Sequence, residues 1–326
     1  MKRHAVGTVL LVVLLAGCRG ADPDVLPVRL TIPSGATLTA VAESLSSHGI
    51  VSSARWFRLY ATLTGRQREI QAGTYDLKPG TPMRAVLKTL VTGRVATDPL
   101  NVPEGLMLEE LADQVREQIG MDPDSLLVAA RDSALRARMA IPSETLEGYL
   151  YPSTYYVRHG ATALEIVGQM LSEFEARWRP EWNSRLTQLG WRRHDIVILA
   201  SIVEGEVRDR TESRTISSVY HNRMRLGMRL QADPTVIYVL GRRRRLFERD
   251  YEVQSPYNTY LIDGLPPGPV NQPSAASLEA ALYPEETEYL YFVAGPDGRH
   301  VFSRTFAEHL VAVREVRRIE AGNSGR

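Results

Sequence analysis

The sequence has few of the residues that would support disulfide, metal or nucleic-acid chemistry. Cys18 is the single cysteine among 326 residues, so no disulfide can form within a monomer. The 39 Lys and Arg side chains nearly balance the 38 Asp and Glu, and a net charge of +1 does not indicate a nucleic-acid partner. His300 and His309 lack a second metal-like spacing, so we expect structural or hydrogen-bonding roles for them. No metal and no cofactor is predicted.

The apolar run near the N-terminus is too short to cross a membrane. Residues 5–16 form an apolar stretch of twelve residues after a basic start, whereas a bilayer core of about 30 Å needs about 20 helical residues. Leu15-Ala16-Gly17-Cys18 fits a bacterial lipobox, in which the leader is cleaved before Cys18 and the thiol is lipidated. An ordinary secretion signal is the alternative. We expect a signal peptide over residues 1–18, a tether over residues 19–26, and a membrane-anchored lipoprotein facing the periplasm or extracytoplasmic space.

An apolar run that ends in two carboxylates, residues 196–206, carries most of the chemical information. A helix this apolar is normally buried, and a carboxyl group at its end loses hydration, which raises its pKa towards neutral pH. The positions i, i+3, i+4 and i+7 of one helix face are Leu199, Ile202, Val203 and Glu206. Glu206 therefore extends the apolar stripe, whereas Glu204 points about 200° away. The pattern favours Glu206 as a general acid; a core helix whose last turn reaches solvent is the alternative.

Three later segments, residues 223–238, 255–260 and 264–270, combine aromatic, amide, charged and turn-forming side chains. Aromatic rings stack on sugar faces while amides and carboxylates bind hydroxyl groups, so the segments suit sugar recognition. Structural turns set by Pro and Gly are the alternative for each segment alone.

Six segments in order resemble the motif series of the endolytic murein transglycosylases, the MltG or YceG-like family. They are residues 146–152 (LEGYLYP), 200–206 (ASIVEGE), 226–235 (LGMRLQADPT), 257–260 (YNTY), 264–268 (GLPPG) and 289–293 (YLYFV). The resemblance runs from about Pro27 to Val316. Six ordered motifs are far more specific than one short pattern.

The resemblance implies cleavage of nascent, uncrosslinked peptidoglycan between N-acetylmuramic acid and N-acetylglucosamine. It also implies 1,6-anhydro-N-acetylmuramic acid ends, a role in terminating glycan polymerisation, and peptidoglycan synthases as partners. Glu206 matches the family's catalytic glutamate. Candidates for holding the sugar or orienting that glutamate are Glu147, Glu204, Gln231, Asp233, Asn258 and Tyr260. A helix cap for Asp233 and turn hydrogen bonds for Asn258 are the alternatives.

Two other functions stay open at this point. A hydrolytic muramidase would use Glu204 or another carboxylate to activate water. A non-catalytic glycan-binding lipoprotein would need only the front part of the chain. The family usually has a transmembrane helix as its tether, so the lipobox is a departure that leaves the choice of membrane open.

The front part of the chain repeats a strand, turn and helix start. Residues 32–42 recur as residues 102–112, with a weaker copy from residue 77 to residue 87. By resemblance this is a LysM-like region over residues 27–140; a spacer is the alternative. A mixed α+β catalytic domain is expected over residues 141–318 and a disordered tail over residues 319–326, so the predicted fold class is α+β. Helices are predicted at residues 163–178, 195–206, 212–224 and 275–282, and strands near residues 149–157, 290–294 and 300–302.

Overall fold

The computed structural model describes residues 25–323, with side chains as far as residue 321. The lipobox and the lipidation of Cys18 lie outside these residues. Within residues 25–323, no helix is both long enough and apolar enough to cross a membrane. The described chain has thirteen α-helices and three two-stranded sheets, so the predicted mixed α+β class is confirmed.

The chain divides into two compact units. Unit 1 comprises residues 25–98 and 156–161 of the described chain, and unit 2 comprises residues 99–155 and 162–323. The limits fall within β3 (Thr97–Asn101) and β4 (Thr154–Arg158), which pair with each other. The limit near residue 140 that the sequence suggested lies inside unit 2.

Unit 1 is built from two of the three repeated segments. Its elements are β1 (Val28–Ile32), α1 (Leu38–Ser47), α2 (Ala54–Leu63), β2 (Gly73–Leu77) and α3 (Met83–Thr92). β1 and β2 pair antiparallel, from Val28 opposite Leu77 to Ile32 opposite Gly73. Alternate β1 side chains enter a core that α1, α2 and α3 complete. The predicted succession of strand, turn and helix is confirmed in both copies.

Unit 2 contains the third copy, in which α4 follows β3, and all the other α-helices of the described residues. Its helices are α4 (Leu108–Ile119), α5 (Pro123–Ala129), α6 (Ser133–Arg138), α7 (Ala163–Arg177), α8 (Pro180–Leu189), α9 (Arg193–Glu206), α10 (Ser213–Arg225), α11 (Asp233–Leu240), α12 (Ala275–Leu282) and α13 (Phe306–Asn323). Short 3-10 helices occupy Arg210–Glu212 and Glu248–Glu252, and a hairpin joins β5 (Tyr291–Ala294) to β6 (His300–Ser303).

α9 is the central element of unit 2. Every residue from Ile196 to Val203 is buried, and α10, α11 and α12 pack around the helix. A helix that is apolar on all sides is stable only when it is enclosed in this way. The predicted burial of this run is confirmed, and the carboxylates at its end are delivered to the point where three helices meet.

Two segments differ from the sequence-based prediction. Residues 149–153 are not part of a strand, because the Leu150 N–H donates to the Gln272 side chain instead of a neighbouring strand. The region predicted as a disordered tail from residue 319 is helical as far as Asn323. Burial of Val316 and an ion pair of 2.6 Å between Arg318 and Glu315 support that last helix.

Candidate active site

Glu206 is the last residue of α9, and its side chain is partly buried against α10. The Tyr220 hydroxyl donates to Glu206 Oε1 at 3.0 Å. Tyr220 itself is only 1% exposed and packs edge-on against Phe292 of β5, so its hydroxyl is held in place. The carboxyl group is therefore fixed by one side-chain donor and is not in bulk solvent.

The surroundings of Glu206 raise its pKa from 4.5 to about 7. Burial is the largest cause, and the negative charge of Asp233 is the second. The Tyr220 hydroxyl, the Asp233 backbone N–H and the positive charge of Arg223 oppose the shift. Arg223 is kept nearby by donating its guanidinium N–H groups to the carbonyls of Leu290 and Leu230, both at 2.7 Å. Glu206 can thus both give and accept a proton near neutral pH.

Asp233 is the first residue of α11, where Pro234 follows it as is usual at a helix start. Ala232 occupies the cap position, so Asp233 does not cap the helix with its side chain. The Tyr260 hydroxyl donates to Asp233 Oδ1 at 2.7 Å. Burial, and after it the negative charge of Asp233, raises the pKa of the nearby Tyr251 hydroxyl. The two tyrosine rings lie 4.5 Å apart. The Tyr260 hydroxyl stabilises the negative charge of Asp233 beside Glu206.

Gln231 precedes α11 in an unusual backbone conformation. Its φ is +49°, and Ala140 is the one other non-glycine residue with positive φ in the described chain. Its backbone N–H donates to the Thr259 carbonyl at 3.1 Å, while the side chain is exposed. A left-handed non-glycine residue is strained by roughly 1–3 kcal/mol, and such strain clusters at functional sites. The conformation holds the amide at the surface two residues before Asp233.

Glu204 occupies a different environment from Glu206. Its side chain is 9% exposed, and Oε2 accepts from the Ser274 N–H at 3.0 Å, the Ser274 hydroxyl at 2.5 Å and the Ser277 hydroxyl at 2.7 Å. Arg210 lies 3.8 Å from its other oxygen. Ser274 also caps α12, so Glu204 binds the positive end of that helix. The sequence predicted that Glu204 lies off the apolar stripe. In the structure its side chain faces the start of α12 and not solvent.

Glu147 lies below the surface, being 1% exposed. It accepts from the Leu108 N–H at 3.0 Å and from the Gln272 amide at 2.5 Å. Burial raises its pKa well above the ordinary value. Gln272 also bonds the backbone of Leu150 and Leu106, so this pair ties the LEGYLYP segment, α4 and the chain before α12 together.

Asn258 is completely buried and shapes a turn. Its amide donates to the carbonyls of Tyr251 and Val253 at 2.9 and 2.8 Å, and its Oδ1 accepts from the Tyr260 N–H at 3.0 Å. These contacts are the turn hydrogen bonds that the sequence offered as an alternative role for Asn258. The turn thus fixes the backbone of Tyr251 and Tyr260, and Tyr260 donates its hydroxyl to Asp233.

The structure therefore brings Glu206, Asp233 and Tyr260 into one cluster and places Glu204, Glu147 and Asn258 in supporting networks around it. His300 and His309 are not part of this cluster, because His300 bonds Glu212 at 2.8 Å and His309 stacks on Tyr291. Among residues 25–323, no group of three or more His, Cys, Asp or Glu side chains has the arrangement of a metal site.

Sequence reasoning missed several residues that build the site. They are Tyr220, Arg223, Tyr251, Gln272, Ser274 and Ser277. One signal was present: serine before a predicted helix at residue 275 marks an N-terminus with free N–H donors, which attract a carboxylate. The contact between Tyr220 and Glu206 depends on how α10 crosses α9, which no local pattern specifies.

Comparison with known proteins places this geometry in a family. The sequence profile of the YceG-like family matches residues 30–315. An endolytic murein transglycosylase of Bacillus subtilis (strain 168) is 30% identical over 298 residues, covering 86% of this chain and 82% of that protein. One from Streptococcus pneumoniae serotype 2 is 27% identical, covering 86% of this chain and 57% of that protein.

Among solved structures, a YceG-like protein from Listeria monocytogenes is 32% identical, with a TM-score of 0.61, and the match covers 87% of this chain and 98% of that one. These matches confirm the resemblance found in the ordered motifs. Because the family profile spans most of its length, this chain belongs to the YceG-like family.

Proposed function

We propose that this protein is an endolytic murein transglycosylase with Glu206 as its acid and base. It acts on nascent peptidoglycan strands between N-acetylmuramic acid and N-acetylglucosamine, leaves 1,6-anhydro-N-acetylmuramic acid ends, and so terminates strand polymerisation. The observation that carries the proposal is the pKa of Glu206, raised to about 7 by burial and by Asp233, on a side chain that the Tyr220 hydroxyl holds in place.

Cleavage begins with the protonated form of Glu206. Its proton passes to the glycosidic oxygen as the bond from that oxygen to C1 of the muramic acid breaks and positive charge develops at C1. Glu206 is then a carboxylate, and the Tyr220 hydroxyl and Arg223 stabilise its negative charge.

The second half of the reaction closes a ring within the same sugar. The C6 hydroxyl oxygen forms a bond to C1 and gives its proton to Glu206, which returns to its starting state. No water is consumed, and one carboxyl group performs both proton transfers. An internal hydroxyl has a high effective concentration, so a second carboxylate is not needed to activate a nucleophile.

The environment of Glu204 supports this reading over hydrolysis. Three donors at the start of α12 already occupy one of its oxygens, and Arg210 lies near the other. The first oxygen is therefore used to hold the start of α12 and is not free to bind a nucleophilic water. We assign Glu204 to positioning the end of α9 against α12.

Gln231, Asp233 and Tyr260 are proposed to support the sugar and Glu206. Gln231 offers an exposed amide, a group that bonds sugar hydroxyls in both directions. Asp233 keeps Glu206 protonated through its charge, and Tyr260 holds Asp233 in place. The Asn258 turn and the Glu147 network are proposed to act through backbone placement.

The location and the front module are part of the same proposal. Lipidation at Cys18 would hold the protein on a membrane, facing the periplasm or extracytoplasmic space, with peptidoglycan synthases as the expected partners. The repeated segments over residues 27–140 are proposed as a LysM-like region that holds the glycan strand.

The test digests uncrosslinked glycan strands with the purified protein and weighs the new ends by mass spectrometry. Anhydro ends are one water lighter than the reducing ends that hydrolysis leaves. We expect anhydro ends from the parent protein and none from Glu206→Gln. The matched control, Glu204→Gln, removes a carboxylate two residues away and should keep anhydro ends at a reduced rate.

Three outcomes would overturn the proposal. Reducing ends from the parent would indicate a muramidase. Full activity in Glu206→Gln with loss in Glu204→Gln would move the catalytic role to Glu204. Glycan binding without any cleavage by a folded parent would indicate a binding protein.

A further inference from the structure

Although the whole chain is almost neutral, unit 1 is strongly basic. The described part of unit 1 carries ten Lys and Arg side chains against four Asp and Glu, whereas the described part of unit 2 carries 25 against 32. From residue 44 to residue 68 there is no Asp or Glu. The arginines of that stretch are Arg55, Arg58, Arg66 and Arg68. This segment therefore has a positive potential that attracts anionic surfaces.

The same stretch contains α2, which exposes an apolar stripe. Trp56 is 60% exposed, Leu59 44% and Leu63 77%. They are spaced at i, i+3 and i+7, so they share one face of the helix, next to the face where Phe57 and Ala61 are completely buried. A soluble surface rarely places a tryptophan and two leucines in one exposed row, which marks the row as a contact surface.

The arginines complete an amphipathic arrangement. Arg55 and Arg58 lie between the Leu59 edge of the stripe and the buried face, and both are exposed, with no ion-pair partner among residues 25–321. Arg66, beyond the end of the helix, pairs with Glu69 at 3.1 Å. A helix with Trp and Leu on one side and Arg beside them matches segments that lie in the headgroup layer of a bilayer.

A sugar chain fits this surface less well. The stripe is a convex ridge on a helix, while sugar sites are concave and place amides and carboxylates beside the aromatic ring. Trp56, Leu59 and Leu63 have no Asp, Glu, Asn or Gln between them on α2.

The length of chain before unit 1 is compatible with a bilayer contact. Cys18 lies ten residues before Val28, where β1 begins, so a fully extended tether spans at most about 35 Å. A lipid at Cys18 would keep unit 1 within that distance of the membrane.

We propose that α2 is a membrane-surface contact, in which Trp56, Leu59 and Leu63 enter the headgroup region of an anionic bilayer while Arg55 and Arg58 bind lipid phosphates. This contact is separate from glycan cleavage and from the lipid anchor. It would orient unit 1 on the bilayer and not merely tether it.

The experiment uses the chain from residue 19 onward, so that neither leader nor lipid contributes. Its partition to extruded vesicles is measured by sedimentation, with phosphatidylcholine alone or with one third phosphatidylglycerol. We expect binding to the anionic vesicles that weakens with added salt. Trp56→Ser and Leu63→Ser should each lower the partition coefficient about tenfold, and Arg55→Gln and Arg58→Gln about fivefold each.

The matched control is Val128→Ser on α5 of unit 2, which removes a side chain that is 71% exposed and should leave binding unchanged. Anhydro ends should still form from uncrosslinked glycan with all these variants, because Glu206 and the residues that contact it are unchanged, so failure of this proposal is distinct from failure of the proposed activity. Equal binding to neutral and anionic vesicles, no binding, or equal loss in Val128→Ser would overturn it. So would variants that bind vesicles normally but lose binding to purified glycan, because the stripe would then hold sugar.

Discussion

Replacing Glu206 by glutamine should change how the stability of unit 2 depends on pH, independently of any substrate. The folded protein holds the Glu206 pKa at about 7, against an ordinary 4.5. Between these values the unfolded chain has lost the proton while the folded chain retains it, so the free energy of unfolding falls as the pH rises. Each pH unit is worth about 1.36 kcal/mol, which gives a total of about 3 kcal/mol. In Glu206→Gln this pH-dependent decrease in the free energy of unfolding is absent.

The expected result is a difference in stability between Glu206→Gln and the parent that grows by about 3 kcal/mol from pH 4 to pH 8. Other titrating groups, including the buried Glu147, are common to both proteins and cancel in the difference. Urea unfolding followed by tryptophan fluorescence measures it. A Trp56→Phe background leaves the remaining three tryptophans, all in unit 2, as the probe.

Tyr220→Phe supplies a second variant with a defined direction. The Tyr220 hydroxyl lowers the Glu206 pKa, so its removal should extend the pH range over which stability falls to higher values. A difference between Glu206→Gln and the parent that does not vary with pH, or that shrinks as the pH rises, would refute the reasoning.

Three further predictions concern the neighbours of Glu206. Asp233→Asn removes the charge that helps to raise the Glu206 pKa, so the alkaline limb of the pH-rate profile should move to lower pH while Tyr260 keeps its acceptor; an unmoved limb would contradict the coupling. Gly205→Ala would place a Cβ 2.6 Å from Pro234 Cβ, so we expect about 1–3 kcal/mol of destabilisation and loss of kcat, measured by thermal unfolding and glycan cleavage. Glu147→Gln would set an amide N–H against a donor, costing about 1–3 kcal/mol; a change in kcat at a temperature where the variant is folded would show that Glu147 does more than hold the backbone.

The sequence predicted those parts of the structure that depend on local periodicity. The apolar run from Ile196 predicted a buried helix, and the Pro and Gly turns predicted the strand–turn–helix order of the front region. It also predicted that Glu204 and Glu206 face different surroundings, because a helix turns 100° per residue.

The remainder depends on contacts between distant segments. The partner of Glu204 is Ser274, 70 residues later, and the donor to Asp233 is Tyr260, 27 residues later. The helical periodicity showed that Glu204 lies off the apolar stripe, but it did not show which helix the Glu204 side chain contacts. No local pattern marks the limit between the two units, because the third repeat resembles the first in sequence. The turn of the third repeat nevertheless packs within unit 2, where the Gly105 N–H donates to the Gln272 carbonyl at 2.7 Å.

The central claim is that Glu206 moves a proton out to the glycosidic oxygen and back from the sugar's own hydroxyl, without water. Cleavage of uncrosslinked glycan in ¹⁸O-labelled water, stopped early and analysed by mass spectrometry, tests it most directly. The account predicts new ends that carry no ¹⁸O and are one water lighter than reducing ends. One ¹⁸O atom in each new end would contradict it.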